Sequence, residues 1–192
     1  MSKFFKMKKI TFLVSLLLST SFYAQENTEI QESTLKNIFE VNYNFLGFGF
    51  SYEHVLSKNI TVKGELSYEG GIFFDEDSSD FILAPSLSAE GRYYYNLAKR
   101  ENKGLNLKNN SGNFISLKAQ YFGDYATIKS SENISIYNQF YLAPMWNISR
   151  NFGKSNFGYE VGIGAGYGFK WDKDYSTSDF ILPLNLKISY KL

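Results

Sequence analysis

The chain has 192 residues with 20 basic and 19 acidic side chains, so its net charge of +1 offers no cationic field for nucleic acid. It has no cysteine, which excludes disulfides, thiolate metal sites, Fe–S clusters, a cysteine nucleophile and a lipidated cysteine, and its one histidine, His54, is too few for a histidine metal site or relay. Apolar residues are 44% and aromatics 18% (15 Tyr, 18 Phe, 2 Trp), a composition that is neither disordered nor a polar tail.

Residues 1–24 have the layout of a secretory signal peptide. Lys3, Lys6, Lys8 and Lys9 form a basic head, Ile10–Leu18 an apolar run too short for a membrane helix, and Phe22-Tyr23-Ala24 a cleavage region. Cleavage is expected after Ala24, or after Ser21 with Ser19 at −3. Its removal takes away four lysines and no acid, so a net charge of +1 becomes −3. Residues 25–36 are polar, lack strand periodicity and read as a flexible lead.

From Asn37 onward the dominant signal is alternation of period two, which predicts strands. Eight segments follow in order: Asn37–Leu46, Phe48–Leu56, Ile60–Phe74, Phe81–Leu97, Phe114–Ile128, Ile134–Ile148, Phe157–Trp171 and Phe180–Leu192. The turns between them include Ser57–Asn59 and Gly153–Asn156. Asp75–Asp80 forms an acidic loop, and Ala98–Asn113 is the longest connector. One face of every segment is nearly free of charge. The other carries Glu40, Glu53, Glu65, Glu69, Glu90, Asp124 and Glu160 against Lys63, Arg92, Lys118, Lys170, Lys187 and Lys191, which nearly cancel.

Two architectures share this pattern. A soluble exported lipocalin-like barrel would hide the apolar face and bind a small apolar ligand with it; a membrane barrel would show that face to lipid. Gly162, Gly164, Gly166 and Gly168 lie on the charged face, where missing side chains suit a crowded lumen. Tyr93, Tyr95, Trp146, Trp171 and Tyr190 fall near segment ends, as interfacial aromatic girdles do. The expected fold is therefore all-β: a closed, antiparallel, up-and-down transmembrane β-barrel of eight strands over residues 37–192.

Several stretches carry a family likeness: Ser51-Tyr52-Glu53 before the Lys58-Asn59 turn, Tyr93 to Leu97 with Arg100, Lys103-Gly104, Asn110 to Leu117, and the ending Leu186 to Leu192. The chain resembles the small eight-stranded outer-membrane proteins of diderm bacteria that carry an outer-membrane-protein β-barrel domain. The resemblance implies an outer-membrane location with both termini periplasmic. It also implies the assembly machinery as a partner during biogenesis, outer-membrane lipids and lipopolysaccharide as neighbours, and a monomer. The family's usual last residue is Phe, where this chain has Leu192.

Eight strands enclose a lumen only wide enough for side chains. Glu53, Lys63, Glu65, Glu90, Arg92, Lys118, Glu160 and Lys170 are expected to form a structural ion-pair network there, without a conducting path. The reading is non-enzymatic, with no cofactor, metal or nucleic acid, and a role in envelope structure or surface interaction. A lipid-modifying enzyme would need His54 as its base, but no serine can be assigned to it, so a girdle histidine is expected. Lys99, Arg100, Lys103 and Lys108 are read as part of a solvated loop. The third and seventh segments exceed the length needed to span a membrane, so their ends are expected to protrude and offer edges to partners.

Overall fold

The computed structural model describes residues 35–44, 46–74, 79–131, 137–173 and 175–192. The signal-peptide reading, residues 25–34 of the lead and most of the acidic loop lie outside these; Leu35 and Lys36, the end of the lead expected to be flexible, are instead held at the barrel's base. The described chain is a closed antiparallel barrel of eight staves. Six are single strands: β1 (Ile38–Asn44), β2 (Gly47–Ser57), β3 (Ile60–Phe74), β4 (Ser79–Tyr94), β5 (Asn113–Phe122) and β7 (Asn138–Asn151). The seventh is β8 (Phe157–Gly164) continued by β9 (Gly166–Trp171). The eighth is β10 (Ser176–Ile181) continued by β11 (Leu184–Lys191). Neighbours in sequence pair along the wall, and β11 returns to β1 through Glu40↔Lys191 and Asn44↔Lys187, which closes the ring.

Six of the eight predicted segments fall within a few residues of the observed strands, and Ile60–Phe74 coincides with β3. The largest departure is the fifth segment, expected to reach Ile128. β5 stops at Phe122; Gly123 donates its N–H to the Pro85 carbonyl oxygen, and Ala126 takes a left-handed φ of 51°. Asp124 is therefore exposed beyond the strand and is not a lumen residue. Ile128–Lys129 returns as a two-residue strand, β6, on β4.

Alternation sends polar residues inward and apolar ones outward. Among the described residues, buried polar and charged side chains outnumber buried apolar ones by 22 to 8. Leu66, Leu87, Ile115, Ile163, Phe180 and Leu184 instead stand on the outer wall, exposed. The glycine positions follow from the same geometry. A Cβ on Gly166 would lie 2.2 Å from the Leu142 carbonyl oxygen, and one on Gly162 would lie 1.9 Å from Asn147 Oδ1, so at these two positions the stave packs on β7 only without a side chain. Gly64, on the outer face, has open space instead.

The long connector corrects the expectation of a solvated loop. It folds into a short helix, α1 (Leu97–Glu101), and a 3-10 turn (Lys108–Asn110), and it closes one end of the barrel. Leu97 packs with Leu35, Tyr94 and Phe114 in a small apolar cluster. Asn110 clamps the backbone before β1, accepting from Lys36 N–H and donating to the Lys36 carbonyl oxygen, each at 2.9 Å. Lys191 Nζ donates to the Asn109 carbonyl oxygen at 2.9 Å, and Lys108 Nζ donates to the Lys154 carbonyl oxygen and Asn156 Oδ1. Lys99 and Lys103 remain exposed. Asn110→Ala removes both clamps at a residue with φ of 58°, and a loss of about 1–3 kcal/mol is expected. Hydrogen exchange at Lys36 N–H, accelerated in the variant, checks this.

Candidate functional site

Arg92, projecting inward from β4, is the centre of the lower lumen. It grips Glu160 on the facing side through two 3.0 Å bonds, Glu90 on its own strand at 2.5 and 2.8 Å, and Glu53 at 3.4 Å. Its guanidinium also lies 4.4 Å from the Phe114 ring centroid. One cation cannot neutralise three carboxylates, so neutral donors complete the shell. Tyr94 and Thr61 donate to Glu53 Oε1 at 2.8 and 2.7 Å, Ser116 to Glu90 Oε1 at 2.6 Å, and Asn185 to Glu160 Oε1 at 2.7 Å. Charge-assisted bonds of this kind are the strong class, and the planar fork of arginine suits them.

Two further clusters stack on this one. Lys63 pairs with Glu40, to which Lys191 adds a longer contact of 3.7 Å, and Ser51 donates to the same carboxylate. Lys187 pairs with Glu65 nearer the open end. Above it Glu69 Oε1 accepts from Gln120 at 2.7 Å and Ser67 at 3.0 Å, and Tyr141 donates to Gln120 Oε1.

Of the expected network, Glu53, Glu90, Arg92 and Glu160 are thus brought together, while Lys63 and Glu65 pair with other partners. Lys118 lies in the lumen but forms no ion pair within 4 Å and no hydrogen bond among the described residues. Lys170 is exposed on β9 near the rim, outside any network, because β9 rises beyond the packed part of the lumen. The sequence reading assigned no role to Tyr94. Its inward register, two residues on from Arg92, was the available signal; the run Tyr93-Tyr94-Tyr95 hid it among outward aromatics.

The girdle candidates all lie on the outer wall, at two levels. Tyr93, Tyr95, Trp146 and Tyr190 cluster toward the closed end, where Trp146 Nε1 donates to the Tyr95 hydroxyl at 2.7 Å and Tyr190 meets Phe157 edge-on at 5.0 Å. Trp171 stands at the other end against Tyr121, with centroids 6.1 Å apart. His54 is exposed on the outer wall beside Tyr52, two residues from Leu56 at the closed end, and makes no hydrogen bond among the described residues.

The open end holds a cavity of 410 Å³ lined by lumen groups, among them Glu69, Lys118, Gln120 and Tyr141, and by Leu46, Leu184 and Leu186. Comparison with protein-family models, curated proteins and solved structures returned no match. The geometry alone therefore carries the functional reading.

Proposed function

We propose that this chain is exported by its N-terminal signal and inserted into the outer membrane of a diderm bacterium as a small, closed β-barrel. There it serves envelope structure or surface interaction, without enzymatic activity. The observation that carries the reading is the inversion of the usual burial pattern: ion pairs fill the inside, and leucines, valines and aromatics cover the outside. In water such a wall would be an apolar patch far larger than soluble monomers tolerate; in lipid it is the expected solvent-facing surface. The two aromatic levels supply interfacial anchors. In a soluble barrel with an apolar ligand pocket, the apolar face would line the interior.

Conduction has no support in this geometry. The floor formed by the connector and Leu35 covers one end, and the Arg92 cluster occupies the bore above it. The experiment that tests the reading is cell fractionation followed by gel mobility with and without boiling in SDS. The protein should pellet with outer membranes and run at a different position when unboiled. Recovery in the soluble fraction without detergent would overturn the membrane assignment.

A further inference from the structure

The barrel wall is uneven in height. β1 and β2 end at Asn44 and Gly47, whereas the staves on either side continue. From Gly70 upward β3 pairs only with β4, and Leu184–Leu186 of β11 pair only with β8 on their wall side. β10 pairs only with β9. Three strand spacings separate β3 from β11, so the notch above the β1–β2 hairpin is about 14 Å wide. A Cβ on Gly70 would lie 2.5 Å from the Leu46 carbonyl oxygen, which places the hairpin tip against β3 at the notch's lower edge.

The 410 Å³ cavity occupies this notch and passes through the wall, since Leu184 and Leu186 belong to the outer face while Glu69, Lys118, Gln120 and Tyr141 belong to the lumen. Exposed apolar residues continue above it, Leu182 and Phe180 on one flank and Phe81 on the next strand beyond the other. The opening thus lies within the apolar band, not above it.

Three charged residues line the cavity: Lys187, which pairs with Glu65, and Glu69 and Lys118, which have no ion pair within 4 Å among the described residues. Below, each of Glu40, Glu53, Glu65, Glu90 and Glu160 has a cation, and Lys63, Arg92, Lys187 and Lys191 each have a carboxylate. Glu69 has hydrogen-bond donors but no cation within 4 Å, and Lys118, which acts on Glu65 through space and stands opposite Glu90 in the β4–β5 register, has no hydrogen bond and no carboxylate within 4 Å among the described residues. Both line this cavity, too far apart to pair with each other. Asn44, which lines it too, has a buried carboxamide oxygen without a donor. An ammonium and a carboxylate that each lack an ion pair within 4 Å, set across one cavity, complement a head group bearing both signs, and the gap in the wall provides an exit for an apolar tail.

We propose that the notch is a lateral entry site for a single-chain zwitterionic amphiphile. Its phosphate lies at Lys118, its ammonium at Glu69, and its acyl chain leaves between Leu46 and Leu184 into the lipid. The proposal rests on the membrane reading. A cavity of this volume falls within the range of ordinary small-ligand sites.

Native mass spectrometry of the detergent-purified full barrel, with lysophosphatidylethanolamine as the probe, tests it. One adduct per barrel is expected, weakened about tenfold or more in each of Lys118→Gln and Glu69→Gln, where one head-group contact is lost. Palmitate, which lacks the ammonium, and phosphoethanolamine, which lacks the tail, should bind far more weakly than the probe. Leu184→Trp, which fills the exit, should reduce the adduct while the unboiled gel mobility confirms that the barrel is folded. Equal adducts in both charge variants, palmitate binding as well as the probe, or stronger binding in Glu69→Gln would each overturn the site. A barrel that fractionates with membranes yet takes no probe overturns this inference alone; a barrel soluble without detergent overturns the membrane reading, whatever it binds.

Discussion

Arg92→Leu is expected to be the most damaging single substitution in the barrel. The change removes the one cation shared by Glu53, Glu90 and Glu160, all three buried. Breaking a buried pair from one side leaves an uncompensated charge and costs about 3–5 kcal/mol. Here three carboxylates lose their partner together, so the upper end of that range is the expectation. Urea unfolding of barrel refolded into lipid vesicles, followed by the fluorescence of Trp146 and Trp171, measures it. Arg92→Lys should recover only part of the loss, because an ammonium cannot make the two-bond grip on Glu160. Combining Arg92→Leu with Glu160→Leu should be milder than the sum of the two, since one of the stranded charges leaves with its partner. Additive losses would show that the arginine acts through packing on Phe114 rather than through charge.

Gly166→Val is expected to rank second. The new Cβ would meet the Leu142 carbonyl oxygen at 2.2 Å and the Ala143 methyl at 2.7 Å. Backbone cannot rotate away as a side chain can, so β9 must move off β7. Overpacking of this kind costs about 1–3 kcal/mol, and here it falls on the seam between β7 and β9. A reduced yield of the unboiled, faster- or slower-migrating form after refolding is the expected readout. Gly64→Ala is the matched control: its Cβ points to open space on the outer wall, and a change within about 0.5 kcal/mol is expected. Equal losses at both positions would attribute the effect to glycine's backbone freedom instead of to the contact with β7.

These two substitutions also mark how far the sequence can be read. Alternation located β3 because it holds from the Ser57–Asn59 turn through Glu69, and the acidic loop marks the strand's far end. Alternation cannot say which face is inside. The glycines of β8–β9 could, since a run of absent side chains on the charged face needs a close neighbour, and Asn147 and the β7 carbonyls are that neighbour. Arg92 was legible as an inward charge, but its choice of Glu160, 68 residues away, depends on which staves face each other across the bore. β5 misled because Tyr125 keeps the even spacing of Leu117 and Tyr121 past Gly123, although the chain has already turned. The floor was hidden for a different reason. Its segment reads as polar, with isolated leucines, and only the barrel end gives Leu97 and Asn110 something to seal. The notch was equally illegible, because it is a difference in height between strands far apart in sequence.

The floor also says something about the order of assembly. Its ties join distant parts of the chain: Lys36 meets Asn110 across 74 residues, and Lys191 meets Asn109 across 82. Lys191 lies on β11, opposite Glu40 of β1. The final latch of the base therefore forms only when the last strand has found the first. Until then the connector lacks one of its anchors. Contacts of such long range are slow to form. Closure of the wall by β11 and this last tie of the base are in this way one event.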